Sequence, residues 1–225
     1  MCKRYNRGEV IYGEGELDGA LYVIVGGVAK LATTYSDGKV AILRLLGPQD
    51  VLGNLALCGE EPPRARSEAF TACEVIKVPK VFVERAVKKS PEVAFELLRL
   101  LGRELGLREE WANCLLPYKA EASLANLLPV LARRFGEETP VGFVIGLRLT
   151  HDELAEMIAS TRESVTNALK RLRESGVLAT KRGRTVILEP GGLAEAARRK
   201  PCSTAPTGLV PVVGQGLISL ASFGG

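Results

Sequence analysis

The chain has 225 residues, which suits two modest domains better than one minimal one, and 46% of them are hydrophobic, enough for a core in each. No run of about 18 apolar residues occurs, and the basic start Met1-Cys2-Lys3-Arg4 has no apolar segment behind it. A transmembrane helix and a secretory signal are thereby set aside, and a cytoplasmic protein is the expectation. Five scattered cysteines (Cys2, Cys58, Cys73, Cys114, Cys202) without a C-x-x-C pair, and a single histidine, His151, argue against a disulfide framework and against a zinc site.

The net charge of +4 is unevenly spread. Residues 1–89 carry 13 Lys/Arg against 11 Asp/Glu and residues 90–145 carry 6 against 8, whereas residues 146–200 carry 11 against 7. A basic last third is the electrostatic footprint expected of phosphate contact.

Residues 1–89 read as strand material punctuated by glycine. Short runs rich in branched residues occupy 10–12, 20–25, 28–31, 40–46 and 74–78. Between two of them, Ser36-Asp37-Gly38 is a strong hairpin signal. Many short strands at near-regular spacing predict an antiparallel sandwich or barrel, without saying what it does.

Ser90-Pro91-Glu92 then opens a helix, with a capping hydroxyl, proline at the first helical position and an acid in the first turn. Leu97, Leu98, Leu100, Leu101, Leu105, Leu107, Trp111 and Leu115 give it more apolar surface than one domain face needs. Part of that surface is expected to meet a second copy in a coiled-coil-like seam; a plain core helix is the other reading. Pro117 should end the helix, making Leu116-Pro117-Tyr118 a hinge. A further helix is predicted over 121–135 with Pro129 inside it, then a turn over 136–142 and a strand over 143–147.

Residues 149–188 are the most informative stretch. Thr150 and Glu153 have capping-box spacing, and Leu154, Met157 and Ile158 repeat at helical period behind them. Ser160 and Glu163 repeat the cap for a second helix whose apolar face is Val165, Ala168, Leu169 and Leu172. Its other face carries Arg162, Glu163, Thr166, Asn167 and Lys170, and Gly176 supplies the left-handed stop. Two capped helices so closely spaced match a DNA-reading helix-turn-helix. Residues 177–188 read as strand, basic turn, strand: a wing carrying Lys181, Arg182 and Arg184. His151, at the start of the first helix, is placed near phosphate.

The order of these parts resembles the CRP/FNR family of transcription regulators. The residues that carry the resemblance are Arg7-Gly8-Glu9-Val10-Ile11, Leu21-Tyr22-Val23-Ile24, Gly27-Val28-Ala29-Lys30-Leu31, Asp37-Gly38 and Leu45-Leu46-Gly47-Pro48-Gln49-Asp50-Val51-Leu52-Gly53. Thr71-Ala72-Cys73-Glu74-Val75 and Ser160-Thr161-Arg162-Glu163-Ser164-Val165 extend it, so that it spans roughly residues 5–190. It implies an α+β fold: an N-terminal antiparallel, jelly-roll-like β-roll of cyclic-nucleotide-binding type, a long dimerisation helix, and a C-terminal winged helix-turn-helix. The expected boundaries are 1–89 for the sensor β-roll, 90–117 for the dimer helix and hinge, 118–193 for the DNA-binding domain and 194–225 for a tail without an assigned role. The implied partners are double-stranded DNA, a second copy of the chain and, for an activator, RNA polymerase. No catalytic residues and no membrane partner are expected.

Arg162 and Glu163 fall on the family's base-reading pair, suited to guanine O6/N7 and cytosine N4 respectively. Thr166-Asn167 stands where many members carry Ser/Gly-Arg, so one operator position is expected to differ, and Lys170 and Arg171 are placed for phosphates. In cAMP-binding members a Gly-Glu pair, an Arg-Ser pair and a Thr-Ser pair hold the nucleotide. Here those places read Gly53-Asn54, an ambiguous Arg64-Ala65-Arg66-Ser67 and Arg108-Glu109. Three departures at three contacts argue against cAMP. NtcA-type nitrogen regulators, which sense 2-oxoglutarate, also lack the first carboxylate. The resemblance to them sets Gly53, Asn54, Leu55, Arg64, Arg108 and Glu109 as candidate effector residues, with the relatives' partner arginine falling on Glu104. An effector-independent regulator, and a regulatory module that does not bind DNA, stay open. Iron-sulfur members need clustered N-terminal cysteines and haem members a histidine in the β domain; neither set is present, so no cofactor is expected. No nucleophile–base pair or phosphate loop suggests an enzyme.

Overall fold

The computed structural model describes residues 2–16, 19–53, 65–115 and 119–197. They divide into two compact units, residues 2–39 with 43–106, and residues 107–197 with 40–42.

The first unit is built on eight strands: β1 (Cys2–Tyr5), β2 (Val10–Tyr12), β3 (Ala20–Gly26), β4 (Ala29–Thr34), β5 (Val40–Leu46), β6 (Val51–Leu52), β7 (Arg66–Ala69) and β8 (Cys73–Pro79). They form two four-stranded sheets, β1-β8-β3-β6 and β2-β7-β4-β5, whose described pairings are antiparallel. Tyr5, Ile11, Tyr12, Tyr22, Ile24, Leu46, Leu52 and Val75 form one buried cluster drawn from both sheets, so the sheets share a core. The expected hairpin is present between β4 and β5. Gly38, at φ 81°, donates to the Tyr35 carbonyl (2.9 Å), and Asp37 Oδ1 accepts from the Lys39 amide (3.1 Å). The Tyr35 amide also donates to the Lys39 carbonyl (2.8 Å), so this is a three-residue hairpin loop closed by a left-handed glycine.

Four elements here were not expected from sequence, the two-residue β6 among them. β1 lies in the basic start, paired with β8 from Cys2↔Ile76 to Tyr5↔Cys73. β7 is hidden by its composition, Arg-Ser-Glu-Ala, because Arg66 and Glu68 line one side while Ser67 and Ala69 are buried on the other. Helix α1 (Lys80–Lys89) follows β8 directly, inside the span expected to be purely β.

Helix α2 (Pro91–Leu115) follows Ser90 as the proline and acid signals predict. Its Leu100 is buried against Leu21 of β3 and Val51 of β6, with Val83 of α1 beside them, fastening the first half of the helix to the first sheet. The hinge residues Leu116-Pro117-Tyr118 and the tail beyond residue 197 lie outside the described residues.

The second unit contains α3 (Ala120–Phe135), β9 (Gly136–Thr139), β10 (Gly142–Ile145), α4 (His151–Met157), α5 (Arg162–Glu174), β11 (Leu178–Lys181), β12 (Arg184–Ile187) and α6 (Pro190–Ala196). Its sheet runs β11-β12-β10-β9. Leu124, Leu127, Leu128 and Leu131 recur at helical spacing on α3 and are fully buried, and α3 packs on α5, α6 and β10. Burying a leucine stabilises by about 1.5–3 kcal/mol, so this one stripe is a major part of the unit's stability. Pro129 faces out and the helix runs through it. Residues 136–142, expected as a turn, are instead β9 and a two-residue reversal at Pro140-Val141. Gly136–Thr139 pairs with β10 from Gly142↔Thr139 to Ile145↔Gly136, and Thr139 Oγ1 donates to the Gly142 carbonyl (2.7 Å). Among the described residues no helix is long and apolar enough to cross a membrane.

Candidate nucleic-acid interface

The first helix of the helix-turn-helix begins with the capping box that its sequence announces. The Glu153 amide donates to Thr150 Oγ1 (3.1 Å), and the Thr150 amide donates to Glu153 Oε2 (2.8 Å). Two of the amides that a helix N-terminus leaves free are thus satisfied. The turn to α5 is sharp: the Ser160 amide donates back to Ala155 O (3.0 Å), with Ala159 at φ 50°. The cap of α5 is Thr161 rather than the expected Ser160, and the Ser164 amide donates to its Oγ1 (3.2 Å). The left-handed Ala159 advances the chain by one residue before helical geometry resumes, which moves the cap from one hydroxyl to the next.

Val165, Ala168, Leu169 and Leu172 bury the inner face of α5, as expected. Helical period then forces Arg162, Glu163, Thr166, Asn167 and Lys170 outward, and all five are exposed. Arg162 Nη1 lies 3.6 Å from Asp152 Oδ2 at the start of α4, a loose, exposed pair that leaves the guanidinium available. Lys170 lies 3.8 Å from Glu174 on its own helix. Thr166 Oγ1 donates to the Arg162 carbonyl (2.8 Å) and also lies 2.8 Å from His151 Nδ1. Arg171, expected at phosphate, is committed instead: its Nε contacts Glu121 Oε2 of α3 at 2.5 Å.

After α5, Gly176 adopts the left-handed stop (φ 74°) and the chain enters the wing. β11 and β12 pair from Leu178↔Ile187 to Lys181↔Arg184, joined by Arg182 (φ 51°) and Gly183 (φ 75°). Positive φ at both central residues is the two-residue hairpin whose twist suits the strands. Lys181, Arg182 and Arg184 therefore gather at one exposed tip, and among the described residues none of them pairs with a carboxylate.

The candidate effector residues are only partly placed. Gly53 (φ 76°) closes β6 so near to β3 that a Cβ there would stand 2.5 Å from the Ala20 carbonyl oxygen, a structural reason for glycine. Asn54, Leu55 and Arg64 lie outside the described residues. Arg108 and Glu109 are exposed neighbours on α2. Glu104, the place of the nitrogen regulators' arginine, is buried and ion-paired with Arg44 of β5, Nη1 to Oε2 at 2.6 Å. Sequence reading missed this pair; Arg44 as the one charge in an apolar strand was the signal available. Among the described residues no three metal-ligating side chains converge.

A β-sandwich unit followed in the chain by a long helix and a winged helix-turn-helix defines a class, the transcription regulators that couple a small-molecule-binding type of domain to a DNA-reading one. Residues 2–90 match the cyclic nucleotide-binding domain, and residues 122–196 match the Crp-like helix-turn-helix domain. The chain is 32% identical over 197 residues to the global nitrogen regulator of Synechococcus elongatus, covering 87% of this chain and 89% of that protein. It is 26% identical to the CRP-like cAMP-activated global transcriptional regulator of Mycobacterium tuberculosis, covering 86% of this chain and 87% of that one. A solved CRP-family transcriptional regulator of Thermus thermophilus superposes with a TM-score of 0.74 at 29% identity, covering 88% of this chain and 97% of that structure. The protein belongs to the CRP/FNR family of transcription regulators.

Proposed function

We propose that the protein is a homodimeric, cytoplasmic regulator that binds a pseudo-palindromic operator, with α5 of each copy in the major groove about one helical turn apart. The carrying observation is the outer face of α5, where Arg162, Glu163, Thr166, Asn167 and Lys170 stand exposed on a doubly capped helix pair. Arg162 and Glu163 read a G·C step, Asn167 reads an adenine edge, and Lys181, Arg182 and Arg184 of the wing track the backbone. Dimerisation is supported by Phe95, Leu98 and Leu105 of α2, which are 65, 62 and 59% exposed and, with Gly102, fall at heptad spacing. RNA polymerase is a further partner if the protein activates. Conversion of small molecules is no part of this reading.

The effector is not cAMP on this reading, because the carboxylate and the Thr-Ser pair that would hold the nucleotide are replaced and the Arg-Ser pair is not kept in clear register. A 2-oxoglutarate response is the second reading. It is favoured by the identity with global nitrogen regulators and uses Gly53, Asn54, Leu55, Arg64, Arg108 and Glu109. Operator selection from random DNA, repeated with cAMP and with 2-oxoglutarate, tests both. Arg162→Ala is expected to cost roughly 1–3 kcal/mol per half-site and to relax base preference. Equal losses on selected and random DNA would remove Arg162 from base reading, and no salt-dependent duplex binding at all would leave a regulatory module that does not bind DNA.

A further inference from the structure

Thr166 stands on the reading face of α5, and a threonine there is ordinarily credited to its hydroxyl. The hydroxyl has one proton. Here that proton goes to the Arg162 carbonyl one turn back, at 2.8 Å, the bond that threonine makes inside helices when its χ1 directs Oγ1 along the axis. With the proton spent, Oγ1 can only accept from His151 Nδ1, also at 2.8 Å, so Nδ1 carries the hydrogen and His151 is the donor. His151 sits on α4, fifteen residues earlier, and therefore clamps the Thr166 side chain from outside its own helix. A threonine side chain beyond Cβ is one oxygen and one methyl. With the oxygen held by protein on two sides and the residue exposed, the methyl is what α5 presents to the groove at this position.

We propose that Thr166 is a thymine-specifying residue acting through its Cγ2 methyl, and that His151 is the positioning residue that fixes this orientation. Thymine is the base that shows an apolar group, its C5-methyl, in the major groove, and apolar contact with that group is a recognised mode of direct readout. Donation to a guanine or adenine N7 would require the proton that Oγ1 gives to the Arg162 carbonyl, and acceptance from a base amine would use its one remaining lone pair, a contact that Thr166→Ser keeps. This assignment rests on α5 being the reading helix.

Deoxyuridine tests it, since it removes the C5-methyl and leaves every hydrogen-bonding group of the base in place. Each thymine of one half-site in a selected operator is replaced in turn, and affinity is expressed as a ratio to the unmodified operator for the same variant of the full chain. One position is expected to show a loss of about 3–5-fold, the size of one buried methyl. Thr166→Val, which keeps a methyl, retains the loss; Thr166→Ser, which keeps only the hydroxyl, abolishes it. His151→Ala diminishes it and His151→Asn, whose amide can donate from a similar place, restores it, an outcome that a merely supporting role for His151 would not give. A loss that persists in Thr166→Ser, or a flat scan for the unaltered protein, overturns the proposal. Arg162→Ala separates the two levels: relaxed base preference with a flat deoxyuridine scan removes Thr166 alone, whereas unchanged preference removes α5 as the reading helix.

Discussion

The Arg44–Glu104 pair gives the sharpest test of the energetics. Arg44 is 3% exposed and Glu104 5%, so both charges have left water, and their contact is a single approach of 2.6 Å from Nη1 to Oε2. That approach is too poorly aligned to count as a hydrogen bond, and Arg44 Nε, Arg44 Nη1 and Glu104 Oε2 are all buried without one. Charge attraction alone thus offsets the desolvation of two ions, which is the condition in which a buried pair adds little net stability. Removing one partner is a different matter, because the survivor stays buried and unpaired. Glu104→Leu and Arg44→Met should each cost about 3–5 kcal/mol. For a chain of this size that lowers the melting temperature by roughly 6–20 °C. The double variant Arg44→Met/Glu104→Leu should recover most of the loss and reach or exceed the unaltered protein, giving a coupling energy of about 3 kcal/mol or more. Urea unfolding at one fixed protein concentration measures all four corners of the cycle. Single variants that each cost less than about 1 kcal/mol and simply add would refute the reasoning.

The DNA-reading unit makes a second, cheaper comparison. Lys181→Ala should reduce the slope of log K against log salt on random duplex by about 0.9, one phosphate contact, while Arg171→Ala leaves the slope unchanged because Arg171 is held by Glu121. Similar slopes for the two variants would return Arg171 to the phosphate contacts. Ala159→Gly relieves a left-handed non-glycine residue (φ 50°) in the turn and should stabilise the unit by about 0.5–1 kcal/mol, read by thermal melting; destabilisation would count against strain there. Glu68 concerns acid. Burial alone would raise its pKa, but hydrogen bonds from Lys30 (Nζ to Oε2 2.9 Å) and Arg66 bring it below the ordinary 4.5. A lowered folded pKa contributes stability above the unfolded value and loses it as pH falls through the folded one. The stability gap between the unaltered protein and Glu68→Gln should therefore be full at pH 7 and shrink below about pH 4.5. A gap constant down to pH 3 would contradict this.

What sequence made legible is what local physics decides. The capping box at Thr150 and Glu153 is a three-residue relation, and it is present atom for atom. The inner face of α5 follows from helical period, and the β4–β5 hairpin from Asp37-Gly38. The misplacement of the α5 cap by one residue has the same origin. Ser160 and Thr161 both offer a hydroxyl, and only the left-handed Ala159, which no propensity favours at an alanine, decides between them. β9 and β7 were invisible for another reason. Gly-Glu-Glu-Thr and Arg-Ser-Glu-Ala have no apolar alternation to announce a strand; each is a strand because a partner supplies its hydrogen bonds, the adjoining β10 for β9 and the distant β4 for β7.

The effector half shows where such reading stops. Resemblance marks Gly53-Asn54 and Arg108-Glu109 as departures from the cAMP contacts, because each is visible residue by residue. The Arg44–Glu104 pair is not visible that way, since it joins residues sixty apart: an arginine in an apolar strand and a glutamate in a helix full of charges. Hydropathy predicts Glu104 to face water, as a lone glutamate among Arg103, Arg108 and Glu109 ordinarily does. Its burial follows only from Arg44, and the burial of Arg44 only from it. Neither charge is tolerable inside without the other, so the two positions are constrained jointly while each looks free when read alone. A relative that dispensed with the pair would have to change both residues together, for the reason that makes either single substitution expensive.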